Sequence, residues 1–260
     1  MTFSVNVDDF KEREECNGTF SYWNYATQKV VFMNKLASFI IHSGTDNIED
    51  LVNEVYNRYE GVTKEEIRRD CIKVLYQMEA VGLIKIDEDF AGGTNTNSIC
   101  VAGESDFRRI SSFVTRSLKS NKHVIMCGYN RINDYSVYQV RARQFNNNEY
   151  NVIYFGKSGE IEALLTFGKV MSENVYTLVN IFAPYDRAEQ LKSMIKYMAL
   201  ITKKLTKIRV TIKDDSTSIR LISLLNELGF KKEAVLCREY DNTNVICFAL
   251  FREDILGNYA

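Results

Sequence analysis

One proline in 260 residues, Pro184, constrains the fold more than any other residue. Proline cannot donate to a strand ladder and is tolerated where a strand ends or a helix begins. Its flanks supply both conditions. The preceding run YTLVNIFA is β-branched and aromatic, and the following RAEQLKSMIKYMALITKK has the spacing of an amphipathic helix. Pro184 therefore marks a strand-to-helix junction. Upstream, NVIYFG and EIEALLTFGKVM flank the turn Lys157-Ser158-Gly159 as a hairpin. Downstream come strand KIRVTIK, helix STSIRLISLLNELG, and strands EAVLCREY and NVICFALF. SICVAGESDFRRISSFVTRSLKSN supplies a strand and a helix before them, while residues 123–150 show no clear period and RQFNNNEY is loop-like. A meander, an α-β-α unit and a closing hairpin predict an α+β domain with one mixed sheet.

The N-terminal part has a different order. FSYWNY and KVVFMN read as two strands, followed by the short helix KLASFIIHSG with Gly44 just past its end. DNIEDLVNEVYNRYEG places Ile48, Leu51, Val52, Val55 and Tyr59 on one helical face, with Gly61 at its end. In TKEEIRRDCIKVLYQMEAVG, Thr63 and Glu66 have capping-box spacing and the stripe Ile67, Cys71, Val74, Leu75, Met78 is apolar. LIKID closes this part as a strand. The polar, Gly-Gly-bearing stretch near 88–97 then marks a boundary. The expected organisation is a domain over 1–90, a linker over 91–97 and a second domain over 98–260.

Composition excludes several classes. A net charge of −1 leaves no electrostatic footprint for nucleic acid. No apolar run approaches the roughly 18 residues of a membrane span, and the acidic start MTFSVNVDDFKEREE lacks the apolar core of a secretion signal. The six cysteines form no CxxC pair and lie apart from His42 and His123, so no metal site is expected. A reduced, cytoplasmic thiol set is the expectation.

GEIEALLTF, VNIFAPY and NELGFKKEAVL, taken with the element order, resemble the GNAT superfamily of CoA-dependent N-acyltransferases over about 98–252. The resemblance implies a strand ending in Phe182-Ala183-Pro184, with amides near Ile181 and Phe182 facing a thioester. It also implies a helix start over Arg187, Ala188, Glu189, Gln190 and Leu191 that binds the pyrophosphate of acetyl-CoA or another acyl-CoA. Two features depart from the family. The glycines of its phosphate loop are absent from Asp186-Arg187-Ala188-Glu189-Gln190-Leu191, whose two carboxylates serve equally well as helix caps. Leu225 also stands where many members place a tyrosine acid. Glu162 and Tyr176, on expected strands, are the remaining catalytic candidates.

Asn34-x-x-Ala37, Ser43-Gly44-Thr45, IEDLVNEVYNRY and a long helix closing on GLIKI resemble the PqqD-like fold, a small winged-helix-like recognition element of ribosomal-peptide maturation, over about 20–86. The resemblance implies that a leader peptide adds as a strand. Val30, Val31 and Phe32 would form the receiving edge, and Arg68, Arg69, Ile72 and Tyr76 the facing helix. Two functions follow. In the first, a CoA-dependent N-acyltransferase acts in ribosomal-peptide modification, with the first domain delivering a leader or precursor peptide at raised effective concentration. In the alternative, a non-catalytic scaffold or chaperone with a degenerate GNAT-like domain presents the peptide to a modifying enzyme. A winged-helix regulator is disfavoured, because EEIRRD is charge-balanced where phosphate binding needs excess Lys and Arg.

Overall fold

A computed structural model describes residues 1–15, 19–25, 28, 30–59, 61–87, 98–129, 132–146, 149–170, 174–240 and 243–257. The chain divides into two compact units, Met1–Gly92 and Gly93–Ala260. The boundary stretch expected at 88–97, with the linker 91–97, lies outside the described residues.

The first unit runs β1 (Phe3–Val5), β2 (Phe10–Glu14), β3 (Phe20–Asn24), β4 (Val30–Met33), α1 (Lys35–His42), α2 (Ile48–Tyr56), α3 (Lys64–Val81) and β5 (Ile84–Ile86). β2, β3 and β4 form an antiparallel sheet in that order, and β1 pairs antiparallel with β5. Local chemistry sets the helix ends. The Asn34 side chain accepts from the Ala37 amide at 2.8 Å, and Thr63 with Glu66 completes the capping box. Gly82 ends α3 at φ 85°, a conformation that a β-carbon would disfavour. The expected stripe of α3 is buried, and with Phe3, Tyr22, Ile40 and Leu51 it makes the core.

Two expectations change here. α2 stops at Tyr56 rather than near Gly61, because Ile48, Leu51, Val52 and Val55 already complete its buried face; Tyr59, expected on that face, is exposed. The run FKERE, with four charged residues in five, forms strand β2 through its pairing with β3 rather than through apolar alternation.

The second unit runs β6 (Ser98–Val101), α4 (Phe107–Ser120), β7 (Val124–Met126), α5 (Val137–Asn146), β8 (Glu149–Phe155), β9 (Ile161–Lys169), β10 (Val175–Phe182), α6 (Ala188–Ile201), β11 (Lys207–Lys213), α7 (Ile219–Glu227), β12 (Lys231–Tyr240), β13 (Thr243–Phe251) and α8 (Arg252–Leu256). The sheet order is β12-β13-β11-β10-β9-β8-β6, and β7 joins it through β10. β10 and β11 are the parallel pair; the other pairings are antiparallel. The expected mixed sheet is thus present. One apolar cluster joins sheet residues such as Leu165, Phe167 and Ile208 to Leu191, Met194 and Met198 of α6. A second joins Ile153, Leu164 and Phe182 to Phe107, Ile110 and Val114 of α4. Among the described residues, no helix is long and apolar enough to cross a membrane.

Candidate functional site

The parallel pair β10 and β11 forms a fork. Their register covers only Val175–Thr177 against Lys207–Arg209, although β11 continues to Lys213. Past Thr177 the β11-side edge of β10 is free to take another partner. In the open slot expected from the sequence, the amides beyond that point would face a ligand. The chain fills the place itself. β7 lies antiparallel on β10, with Met126 opposite Ile181 and Val124 opposite Phe182. The Ala183 amide donates to the His123 carbonyl at 2.8 Å. On the other edge, β9 pairs with β10 to its end, with Leu165 opposite Ile181 and Leu164 opposite Phe182.

Side chains secure this closure. Asn180 is 1% exposed, and its Oδ1 accepts from the Gly128 amide at 2.7 Å and from the Tyr135 hydroxyl at 3.0 Å. Both donors come from the connection between α4 and α5. Pulling that connection away would leave a buried amide oxygen unpaired, which costs about 1–3 kcal/mol. Gly128 also approaches β10 too closely for any side chain: a β-carbon there would stand 2.5 Å from Val179 Cγ1. Tyr135 packs edge-on against Phe182, with ring centroids 5.7 Å apart. Burial, together with the contact to Cys127 Sγ at 2.9 Å, holds the Tyr135 hydroxyl protonated well above the usual tyrosine range. Further along, Tyr129 donates to the buried carboxylate of Glu149, which also pairs with Arg143 at 3.3 Å. Burial first, and then Glu149, raise the pKa of the Tyr129 hydroxyl as well.

The residues expected to hold an acyl-CoA therefore have other engagements. Ile181, Phe182 and Ala183 are fully buried in the paired strand end. Arg187 stands at the N-cap of α6 without a side-chain capping bond, and its guanidinium lies 3.9 Å from Glu162. Glu189 pairs with Lys192 at 2.6 Å, while Ala188 and Leu191 turn into the core and Gln190 is half-buried. Of the two carboxylates expected at the helix start, Glu189 stands in the first turn of α6, where a negative charge suits the helix dipole, and the N-cap itself is Arg187. The bonded strand-end amides leave no open place beside Phe182 for a thioester carbonyl, whereas the start of α6 carries no side-chain cap.

The two catalytic candidates are far apart. Glu162 lies over Gly156 beside Arg187, at the Pro184 end of the sheet. Tyr176 sits six residues before Phe182 on the strand, about 20 Å away at the usual rise. It is 4% exposed against Tyr150, with burial first and Tyr150 second raising its pKa. Leu225, at the place of the family's tyrosine acid, is buried core; Leu228-Gly229-Phe230 turns at Gly229 with φ 91°.

In the first unit, β4 pairs with β3, and among the described residues no strand pairs with its other edge. Phe32 is 75% and Val30 52% exposed, while Val31 faces inward and is half-buried. Trp23 stands opposite Val30 and is also exposed. Sequence reasoning missed it, although the alternation of residues 21, 23 against 30, 32 carries the signal. On α3, Arg68 pairs with Glu49 of α2, Ile72 and Tyr76 pack into the core, and Arg69 is exposed.

The chain matches no family model, and no curated protein matches it. Among solved structures, a variant of the spermidine N-acetyltransferase from Vibrio cholerae is 14% identical over 63% of this chain and 98% of its own, with a TM-score of 0.47. The spermidine/spermine N-acetyltransferase of the same organism, in complex with manganese ions, is 13% identical over 64% and 99%, with a TM-score of 0.45. A proposed acetyltransferase of the GNAT family from Desulfovibrio desulfuricans is 14% identical over 60% and 98%, with a TM-score of 0.46.

Proposed function

We propose that the chain is a peptide-recognition protein of the ribosomal-peptide type, built as a cytoplasmic scaffold whose second unit keeps an N-acyltransferase architecture closed by its own strand. The observation that carries the closed-slot half is the Ala183 amide bonded to the His123 carbonyl, with β7 laid along Ile181 and Phe182. That pairing supplies internally the contacts that an extended thioester arm would otherwise make. The peptide half rests on the unpaired edge of β4, where Val30, Phe32 and Trp23 give an extended peptide main-chain partners and apolar contacts. A leader peptide rich in apolar residues suits that edge, with Arg69 available for an acidic one. The scaffold would then present the peptide to a separate modifying enzyme.

An acyl-CoA-dependent transferase is the second reading. It is favoured by the fork itself: a parallel strand pair that parts after Thr177, followed by a helix at the strand end. Calorimetric titration of the full chain separates the two. Short precursor peptides encoded beside the gene are expected to bind saturably, and acetyl-CoA to give no heat. Saturable acetyl-CoA binding together with acyl transfer to the peptide would establish the enzyme instead. Failure of every such peptide to bind would remove the recognition role.

A further inference from the structure

The edges of the sheets are unequal. β2 carries four charged residues in five. β12 opens on Lys231-Lys232-Glu233 and is broken by two register shifts against β13. β6 is half-buried along its whole length. Charge, irregularity and cover are the devices by which edge strands avoid pairing with other chains. β4 has none of them. Its residues Val30-Val31-Phe32-Met33 are uncharged, pair with β3 without a register shift, and leave Val30 and Phe32 exposed.

That edge is complementary to itself. An antiparallel neighbour of identical sequence in one sheet is related by a two-fold axis normal to the sheet, so every residue keeps its face. Side chains alternate between faces, and a residue must therefore meet one an even number of places away. With Val31 opposite the partner's Val31, Val30 meets the partner's Phe32. The register within the chain extends these rows. Lys11, Trp23 and Val30 share one, and Arg13, Ser21 and Phe32 the next but one. Across the joint the outer face then reads Trp23, Val30, the partner's Phe32, the partner's Ser21. Large and small side chains alternate, which lets each aromatic ring lie over a small neighbour. Charge permits the match as well. The cations on such a row, Lys11 and the partner's Arg13, stand five strand spacings apart, about 24 Å, well beyond a Debye length of about 8 Å.

We propose that β4 is the joint of a symmetric dimer, in which two copies of this chain pair their β4 strands antiparallel into one six-stranded sheet. A joint between four-residue strands buries less than the roughly 1,200–2,000 Å² of a standard interface, so the dimer is reversible. The proposal takes from the peptide-docking reading only that the β4 edge accepts a strand. In the dimer that edge is covered, and a peptide binds by displacing the second copy.

Full-length protein without any peptide would be followed by sedimentation velocity from about 2 to about 200 μM, a range that brackets a weak, reversible dimer. It is expected to pass from monomer to dimer across that range. Phe32→Glu should raise the dissociation constant at least tenfold. Val31→Cys oxidised with diamide should give a disulfide joining position 31 of the two copies, because opposed residues of an antiparallel pair stand about 4.5–5.5 Å apart between α-carbons. A monomer at every concentration would overturn the proposal and leave the edge to peptides alone. A dimer unmoved by Phe32→Glu, or a folded Val31→Cys dimer that does not link, would overturn it by placing the joint elsewhere. Phe32→Glu replaces an exposed side chain and keeps the fold, so its result stands without Val31→Cys.

Discussion

At the scale of single residues, Gly128 and Asn180 do most to keep the slot closed. Gly128→Ala drives a methyl group against Val179, whose side chain and carbonyl lie 2.5 and 3.0 Å from the added carbon. Overpacking of this kind costs about 1–3 kcal/mol, and urea denaturation should register a loss in that range. A change below about 0.5 kcal/mol would mean that the segment is loosely held. Thiol chemistry offers a second residue-scale prediction. Burial pushes the Cys71 and Cys100 thiols up to about 11 from an ordinary 9.0, which lowers the thiolate fraction at pH 8 by about 100-fold. Cys237 is exposed on β12. Iodoacetamide at pH 8 should therefore label Cys237 well before Cys71 or Cys100, as read by peptide mass spectrometry; equal rates would contradict the burial described.

Legibility at this scale follows how local the cause is. Pro184, Asn34, the Thr63–Glu66 box and Gly82 act through their own backbone, so the sequence displays them. Asn180 does not announce itself, because its meaning depends on Gly128 and Tyr135, 52 and 45 residues away in the chain.

At the scale of elements, the regular strands β8 to β11 and the helices α3, α6 and α7 are legible from period alone. β7 is not. Val-Ile-Met is too short to show alternation; its identity as a strand comes from the edge of β10 that it occupies. β2 is hidden for a related reason, since only Phe10 of its five residues is buried. The open slot expected at Pro184 failed on this point: the proline does end the strand, but the freed amides are claimed by the run after His123, whose sequence does not say which edge it joins.

Two predictions belong to elements. Val30→Lys with Phe32→Glu on β4 should abolish peptide binding in calorimetry and leave the melting temperature within about 2 °C, because both side chains are largely exposed. Unchanged peptide affinity would move the docking site elsewhere. The start of α3 should carry an acid-sensitive term. Hydrogen bonds from the Thr63 backbone and then its side chain lower the Glu66 pKa from its ordinary 4.5. A lowered carboxyl stabilises the folded state above the unfolded pKa and loses that contribution as pH falls through the folded one. Stability should thus fall as pH drops below about 4.5, and Glu66→Gln, which removes the titrating carboxyl, should remove that part of the pH dependence in thermal melts. An identical profile in the variant would show that the box contributes nothing.

At the scale of the molecule, the two units have separate apolar clusters, one confined to residues 1–86 and two beyond residue 98. A chain cut between them should therefore give two fragments that each unfold cooperatively, and the fragment 1–87 should retain the peptide affinity of the whole. Loss of cooperative unfolding in that fragment would show that it depends on the rest. The division of labour follows the same line. In the proposed reading, the β4 edge, unpaired among the described residues, takes an extended partner, whereas the end of β10 in the second unit is paired internally with β7.

The most direct measurement is hydrogen exchange at the Ala183 amide, with and without acetyl-CoA. Bonded to His123 and buried, it should exchange as slowly as the amides at the centre of β10, and millimolar acetyl-CoA should leave that rate unchanged. Rapid exchange in the free protein, with protection gained only when acetyl-CoA is added, would show the slot to be open and the account wrong.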